Sequence, residues 1–379
     1  MKRFCINILT LLLIVNIAHP QSVGLVLSGG GAKGIAHIGV IQALEDNDIP
    51  IDYVTGTSMG AIVGGLYASG YTPQEMMQLR MSKGFADWST GVINTNFTYY
   101  YDKSEPTTAF VNLNFALSDT TKNSSSIIPS SLINPIPMNF AFMELFAPYT
   151  AQCNSNFNNL YVPFRCVASD VFRKRKLVCS SGDLGDAIRA SMSFPLVFKP
   201  IYKDGLPLFD GGIYDNFPVD VMRNDFAPDF IIGIDVSTES SKINVNNLID
   251  QVEAMVIQDH GTIIPDSLGV RMNLNLSKFG LLDFDKAQEI YKIGYDHTIA
   301  LIDSIKGRVT TRISPTSRAI ARNTFKSKTP EIAFDNVNVT GTNNNQQNKY
   351  IKRLFKFKKN STFNIEEAKI SYYHAISSQ

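Results

Sequence analysis

The sequence predicts a three-layer α/β domain with a central, mostly parallel sheet, followed by a small, incomplete α+β tail. Short runs such as "VGLVL" (Val23–Leu27) and "DFIIGIDV" (Asp229–Val236) are apolar on both faces, as in a parallel strand covered by helices. Segments with helical periodicity separate these runs from Val23 to about Gly307, and strands that alternate with helices are typical of α/β folds. A chain of 379 residues, 44% of them hydrophobic, can form one large domain and an appendage.

The first twenty residues are predicted to lie outside the fold, as a secretory signal peptide (residues 1–20). Lys2 and Arg3 form a short positive region, and an apolar run from Ile6 to Ala18 follows it. This run is shorter than the roughly 20 apolar residues that cross a bilayer. We therefore expect the protein to be exported. An uncleaved anchor is the alternative that the sequence leaves open.

Composition excludes several function classes. A net charge of +1 argues against nucleic acid as a partner, because binders of nucleic acid concentrate basic residues. Beyond the signal, Cys153, Cys166 and Cys179 form neither a disulfide framework nor a C-x-x-C zinc pair. Cys166 lies in an apolar run that predicts a buried thiol, and one bridge among the three cysteines stays open. We expect no metal and no cofactor.

The elements of the predicted domain (residues 23–307) follow in order. After the first strand, Lys33–Glu45 predicts a helix with one apolar stripe, and Ile51–Val54 predicts a second strand. The next helix ends at Gly70, and Tyr161–Val167 predicts another buried strand. Residues 84–159 mix aromatic side chains with turn formers and predict an insertion, either ordinary core or a lid with apolar walls over a site.

A G-x-S-x-G pattern follows the second strand. It consists of Gly56, Ser58 and Gly60 in "GTSMG". A nucleophilic serine on a sharp strand-to-helix turn needs small neighbours on both sides, so that its hydroxyl can project outward. An apolar strand precedes this turn and a helix rich in Ala and Gly follows it. The context favours a nucleophile over a structural turn.

The glycine run after the first strand admits three interpretations. Gly29, Gly31 and Gly34 satisfy the G-x-G-x-x-G dinucleotide pattern, but the acidic residue near the required distance, Asp52, stands at the start of the second strand. A phosphate-binding P-loop fails because Lys33 precedes Gly34 and no Ser or Thr follows in register. An oxyanion hole fits better, since backbone N–H groups of this loop can lie beside the serine turn. Lys33 either adds positive charge there or is a solvated residue.

The base that a serine nucleophile requires is harder to assign. The five histidines, at positions 19, 37, 260, 297 and 374, do not follow strands; His37 is expected to be packed or hydrogen-bonded locally. Asp210 follows a short apolar run and precedes Gly211 and Gly212, a pattern that by itself indicates a plain turn.

Together, "GGGAKG", "GTSMG" and "DGG" resemble the three signature elements of the patatin-like phospholipases. The resemblance extends to "PFRCVASD", "AIRASMSFPLVFKP" and "YDNFPV", and covers Val23–Val236 with a looser continuation to about Gly307. It implies a serine–aspartate dyad without a catalytic histidine, with Ser58 as nucleophile and Asp210 as base.

The same resemblance implies that Gly29, Gly30 and Gly31, in the motif that ends at Gly34, line the oxyanion hole. Lys33, Gly56, Gly60, Gly211 and Gly212 are then motif neighbours. The implied activity is hydrolysis of lipid esters, with a lipid or a membrane surface as substrate. A general esterase or thioesterase, and a passenger or binding module, are the alternatives.

The end of the chain carries a second resemblance. A polar, basic linker is predicted over residues 308–330, and the strand and two helices expected in 331–379 resemble the first part of a POTRA domain. In some bacteria such modules join patatin-like domains to an outer-membrane β-barrel, so the resemblance implies a barrel partner in a longer form of the chain. The expected location is then the periplasm, the outer membrane or the exterior of a bacterium. An unrelated helical tail is the alternative.

Overall fold

The computed structural model describes residues 20–93, 97, 131–237, 246, 248–257, 263–332, 337–339, 344–355 and 364–377. The predicted signal peptide falls almost wholly outside this part of the chain, so export stays a prediction. Among the described residues, no helix combines the length and the hydropathy needed to cross a membrane.

Eight strands form one mixed sheet in the described part of the chain, in the order β5-β6-β3-β2-β1-β7-β8 with β4 paired to β3. Parallel pairing joins β3, β2, β1, β7 and β8, while β4, β5 and β6 pair antiparallel at the β3 end. The strands are β1 (Val23–Leu27), β2 (Tyr53–Thr57), β3 (Phe164–Asp170), β4 (Arg175–Cys179), β5 (Ile201–Lys203), β6 (Leu206–Asp210), β7 (Phe230–Asp235) and β8 (Gly269–Asn273). The predicted α/β class with a mostly parallel sheet is confirmed.

Helices surround this sheet and connect its strands. They are α1 (Ala36–Asp46), α2 (Met59–Ala68), α3 (Pro73–Met81), α4 (Lys83–Thr90), α5 (Ile136–Gln152), α6 (Leu184–Ser191), α7 (Val219–Asp225), α8 (Leu248–Val256), α9 (Ala287–Arg308), α10 (Pro315–Lys326), α11 (Asn345–Leu354) and α12 (Ile365–Ser377). The predicted first helix is confirmed with one difference: a short 3-10 turn, Gly31–Ile35, precedes α1.

The centre of the sheet is the core of the molecule. All five residues of β1 are buried, and every residue of α2 is buried against the sheet. A helix that is apolar on all sides is stable only when it is enclosed by other elements. Because α2 directly follows Ser58, this enclosure fixes the backbone on which the serine stands.

The register brings three loops to one edge of the sheet. Leu27 of β1 lies beside Gly56 of β2 in a parallel pair, so the loops after both strands leave on the same side. Thr57 pairs with Val167 of β3, and the next residue of β3, Ala168, pairs with Asp210. The glycine loop, the serine turn and the end of β6 therefore meet.

The segment predicted as a linker, residues 308–330, contains helix α10, which docks on the domain. Arg318 and Arg322 are buried, and the Arg322 guanidinium lies 2.7 Å from a carboxylate oxygen of the buried Glu45. Arg318 also donates to the backbone oxygen of Glu45, at 2.9 Å. Part of the segment predicted as a linker is therefore a docked helix, and two of the basic residues that suggested a linker face a buried carboxylate.

The tail has the two predicted helices, α11 and α12. The strand expected in 331–379 is not formed at residues 331–332 and 337–339, and residues 333–336 lie outside the described part. Tyr372 of α12 donates to the backbone oxygen of Ile136, and its ring packs at a tilt against Phe140 of α5, with 5.2 Å between ring centroids. The resemblance to a POTRA domain stays a prediction.

Candidate active site

Ser58 stands on a strained turn between β2 and α2. Its φ of 54° and ψ of −120° lie in a region that residues other than glycine rarely adopt. The flanking glycines make the turn possible: a Cβ at Gly56 would lie 2.4 Å from the backbone oxygen of Gly60, and one at Gly60 would lie 2.4 Å from that of Leu27. The predicted need for small neighbours has this physical basis.

Asp210 is the partner of this serine. The Ser58 hydroxyl donates to Asp210 Oδ2 at 2.7 Å, and the N–H of Gly212 donates to Asp210 Oδ1 at 2.9 Å. The carboxylate is 1% exposed. At Gly211, a Cβ would lie 2.1 Å from the backbone oxygen of Val167, so only glycine allows β6 to end this close to β3.

Burial dominates the electrostatics of Asp210. Loss of hydration raises its pKa to about 7, although the hydrogen bonds from Gly212 and Ser58 act in the opposite direction. The nearby charge of Glu253 raises this pKa further. A carboxylate with a pKa near neutrality is a much better base than an ordinary aspartate, while it remains largely ionised slightly above pH 7.

The glycine loop lies against the serine turn. Gly29, Gly30 and Gly31 line the same cavity as Ser58 and Asp210. The N–H of Gly29 donates to the backbone oxygen of Asn216 at 3.1 Å, which ties this loop to the segment after β6. Gly31 has a φ of +53°, and a Cβ there would lie 2.3 Å from the backbone oxygen of Leu281.

The other two motif residues of the loop are placed differently from the prediction. Gly34 is outside the cavity lining and packs against Met59, whose Cγ would lie 2.4 Å from an added Cβ. Lys33 is 1% exposed, so the solvated interpretation is wrong. Its ammonium lies 3.1 Å from Glu253 Oε1, and this ion pair offsets its positive charge.

The described histidines do not join this site. His37 is fully buried, and its Nε2 lies 2.9 Å from the backbone oxygen of Ser28, which confirms the expected local hydrogen bond. Burial lowers its pKa to about 4, so the ring is neutral at physiological pH. His297 and His374 are not among the cavity residues, and His260 lies outside the described part of the chain.

Ser58 and Asp210 lie in the wall of an apolar cavity that is open to solvent. The predicted insertion supplies part of its wall: Phe85 and Trp88 come from α4, and Met138 and Phe142 come from α5. Residues 94–96 and 98–130 of this insertion lie outside the described part, so its action as a lid stays a prediction. The wall suits an acyl chain, because apolar surface that enters it leaves water.

Three polar residues of this site were not predicted. Asn216 and Glu253 line the cavity, and Ser191 Oγ accepts the N–H of Ser58 at 3.0 Å. Asn216 and Ser191 both fall within stretches that carried the family resemblance, "YDNFPV" and "AIRASMSFPLVFKP". Glu253 had no signal, because it reaches the site from a separate helix, α8.

The predicted family is confirmed by comparison with known proteins. Residues 25–223 match the family described as patatin-like phospholipase, which is more than half of the chain. The serine turn, the glycine loop and Asp210 all fall inside the matched range. The chain belongs to the patatin-like phospholipase family.

Similar proteins come from several organisms. A patatin-like phospholipase domain-containing protein of Caenorhabditis elegans, ZK370.4, is 31% identical over 244 residues, which are 64% of this chain and 15% of that protein. Lysophospholipase nte1 of Emericella nidulans is 28% identical over 319 residues, 76% of this chain and 18% of that protein. The chain thus spans less than a fifth of these relatives. VipD of Legionella pneumophila is similar in structure, with a TM-score of 0.43, 15% identity and coverage of 75% of this chain and 67% of VipD.

Proposed function

We propose that the protein is a serine acyl hydrolase of lipid esters that works through a dyad of Ser58 and Asp210. The observation that carries this proposal is the 2.7 Å hydrogen bond from the Ser58 hydroxyl to a buried aspartate whose pKa is about 7. Both residues line an apolar cavity. The name of the similar protein from Emericella nidulans, a lysophospholipase, also supports a lipid ester as substrate.

In the acylation step, Asp210 accepts the proton of Ser58 as the hydroxyl oxygen attacks the ester carbonyl carbon. The tetrahedral intermediate then collapses, and the protonated Asp210 gives its proton to the departing alcohol. Water attacks the acyl-serine in the second step, with Asp210 again as base. The acyl chain leaves as a carboxylic acid, and Ser58 regains its proton.

The developing oxyanion needs hydrogen-bond donors near Ser58. The N–H of Gly29 is already bonded to Asn216, and that of Ser58 is bonded to Ser191. The role therefore falls to the amides of Gly30 and Gly31, with Met59 at the first position of α2 as a further candidate. One such donor contributes about 3 kcal/mol to transition-state stabilisation.

A simple esterase is the second candidate, because the same dyad would cleave a small ester. The apolar wall around Trp88 and Phe142 favours the lipid, because a long acyl chain buries more apolar surface against it than a small ester does.

The test uses the full-length chain, Ser58→Ala and the control Ser277→Ala, which changes an exposed serine. Each protein is assayed on a short-chain p-nitrophenyl ester and on vesicles that contain a phospholipid and its lysophospholipid. We expect release of fatty acid from the vesicles by the wild type and by the control, and none by Ser58→Ala. Turnover of the small ester alone would make the protein an esterase. Hydrolysis by Ser58→Ala would refute the dyad.

A further inference from the structure

The side-chain amide of Asn216 belongs to the active-site cavity and has no hydrogen-bond partner among the residues that the structure describes. The residue is 8% exposed and lines the cavity with Ser58 and Asp210. Its backbone oxygen holds the glycine loop, but its side chain forms no hydrogen bond with any residue that the structure describes. Because this amide is not engaged by those residues, its donor and acceptor are available to a ligand that enters the cavity.

The amide oxygen of Asn216 lies against Gly29 and Gly212, next to both catalytic residues. A methyl group added at Gly29 would lie 2.4 Å from Asn216 Oδ1 and 3.1 Å from Ser58 Cβ. One added at Gly212 would lie 2.9 Å from Asn216 Oδ1 and 3.2 Å from Asp210 Oδ1. Asn216 therefore lies close to both catalytic residues, within reach of a substrate that is bound to Ser58.

Other polar side chains of the cavity are already engaged. Ser89 donates to the backbone oxygen of Ala86 at 3.2 Å, and Glu253 is paired with Lys33. An amide offers both a donor and an acceptor, the combination that a free hydroxyl group requires. We infer that Asn216 is a specificity-determining residue that binds a hydroxyl group of the leaving alcohol. This inference deepens the proposed function and rests on it for the term "leaving alcohol".

The experiment measures binding and does not depend on hydrolysis. Trp88 is the single tryptophan of the chain and lines the cavity, so its fluorescence reports a bound ligand. The probes are two ethers with the same alkyl chain, one of glycerol with free hydroxyl groups and one of methanol with none. The wild type, Asn216→Leu and Asn216→Ser are titrated with both, and circular dichroism with a thermal midpoint verifies that each is folded. Ser89→Ala is the matched control for a polar group in the same cavity.

The wild type should bind the glycerol ether about tenfold more tightly than the methyl ether, as expected for one buried hydrogen bond. This ratio should approach one in Asn216→Leu and stay as in the wild type in Ser89→Ala. Equal ratios in the wild type and in Asn216→Leu would overturn the inference, and so would a wild type that binds both ethers equally. If the wild type hydrolyses neither substrate but still binds the glycerol ether more tightly than the methyl ether, the proposed function is rejected and the hydroxyl-binding site is retained.

Discussion

Replacing Asp210 with asparagine should make the folded protein more stable than the wild type, and this difference should grow as the pH rises. The same replacement should remove activity. The side chain is 1% exposed, and its folded pKa is raised to about 7 from an ordinary 3.8. The folded state therefore holds a proton that the unfolded state has released between about pH 4 and pH 7. Stability from this group is fully present below the unfolded pKa and is lost as the pH rises through the folded pKa.

The magnitude follows from the displacement of the pKa. Each pKa unit corresponds to about 1.4 kcal/mol, so a difference of about three units destabilises the ionised folded state by roughly 4 kcal/mol. Asparagine stays neutral, and its amide can keep both contacts: Oδ1 accepts from Gly212, and Nδ2 donates to Ser58. Between pH 5 and pH 8, the change takes place from pH 5 up to the folded pKa of about 7, which is about two pKa units. The stability advantage of Asp210→Asn over the wild type should therefore grow by about 2–3 kcal/mol over this interval.

Urea unfolding of both proteins at pH 5, 6, 7 and 8 measures this difference. The matched control is Asp87→Asn, because Asp87 lies on the surface helix α4 in an exposed pair with Lys83. We expect the wild type and this control to lose stability in parallel, while Asp210→Asn loses less. Parallel curves for the wild type and Asp210→Asn would refute the claim that Asp210 is held at a raised pKa.

Three further predictions concern the nucleophile, the docked helix and the pH profile. Ser58→Gly and Ser58→Ala should both be inactive. Ser58→Gly should unfold at a higher temperature than Ser58→Ala, by the equivalent of about 1 kcal/mol, because glycine adopts the φ of 54° at this position without strain. In urea titrations, Glu45→Ala should lower the free energy of unfolding by about 3 kcal/mol, because it leaves Arg322 buried without its partner. The control Glu289→Ala removes an exposed ion pair with Lys278 and should change the free energy of unfolding by less than about 1 kcal/mol. The kcat/KM of the wild type on a soluble ester should rise with pH through an apparent pKa of about 7, because only ionised Asp210 can accept the proton; a profile that is flat from pH 5 to pH 9 would contradict this.

Much of the central sheet could be predicted from local patterns. The strand at Asp229–Val236 is confirmed as β7, Phe230–Asp235, because a run that is apolar on both faces has few alternatives to a buried strand. Boundaries were less accurate: the strand predicted at Ile51–Val54 is Tyr53–Thr57. The shift extends β2 to the serine turn, where pairing with β1 and β3 decides its end.

Site residues could be predicted where they belong to one short motif. They could not be predicted where segments that are far apart in the sequence meet. Gly56 and Gly60 are required by contacts within their own turn, so the pattern indicated them. The partnership of Lys33 with Glu253 joins residues 220 positions apart, and no local pattern carries it. The docking of α10 was missed for the same reason, since the partner of Arg322 lies in the first helix.

Covalent labelling with an alkyl fluorophosphonate tests the dyad most directly. The reagent reacts with an activated serine. Intact-mass measurements over time give the rate of labelling, and peptide mapping identifies the labelled residue. We expect a single adduct on Ser58, formed at a rate that rises through pH 7 and that is at least a hundredfold lower in Asp210→Asn. An adduct on another residue, or equal labelling rates in the wild type and Asp210→Asn, would contradict this expectation.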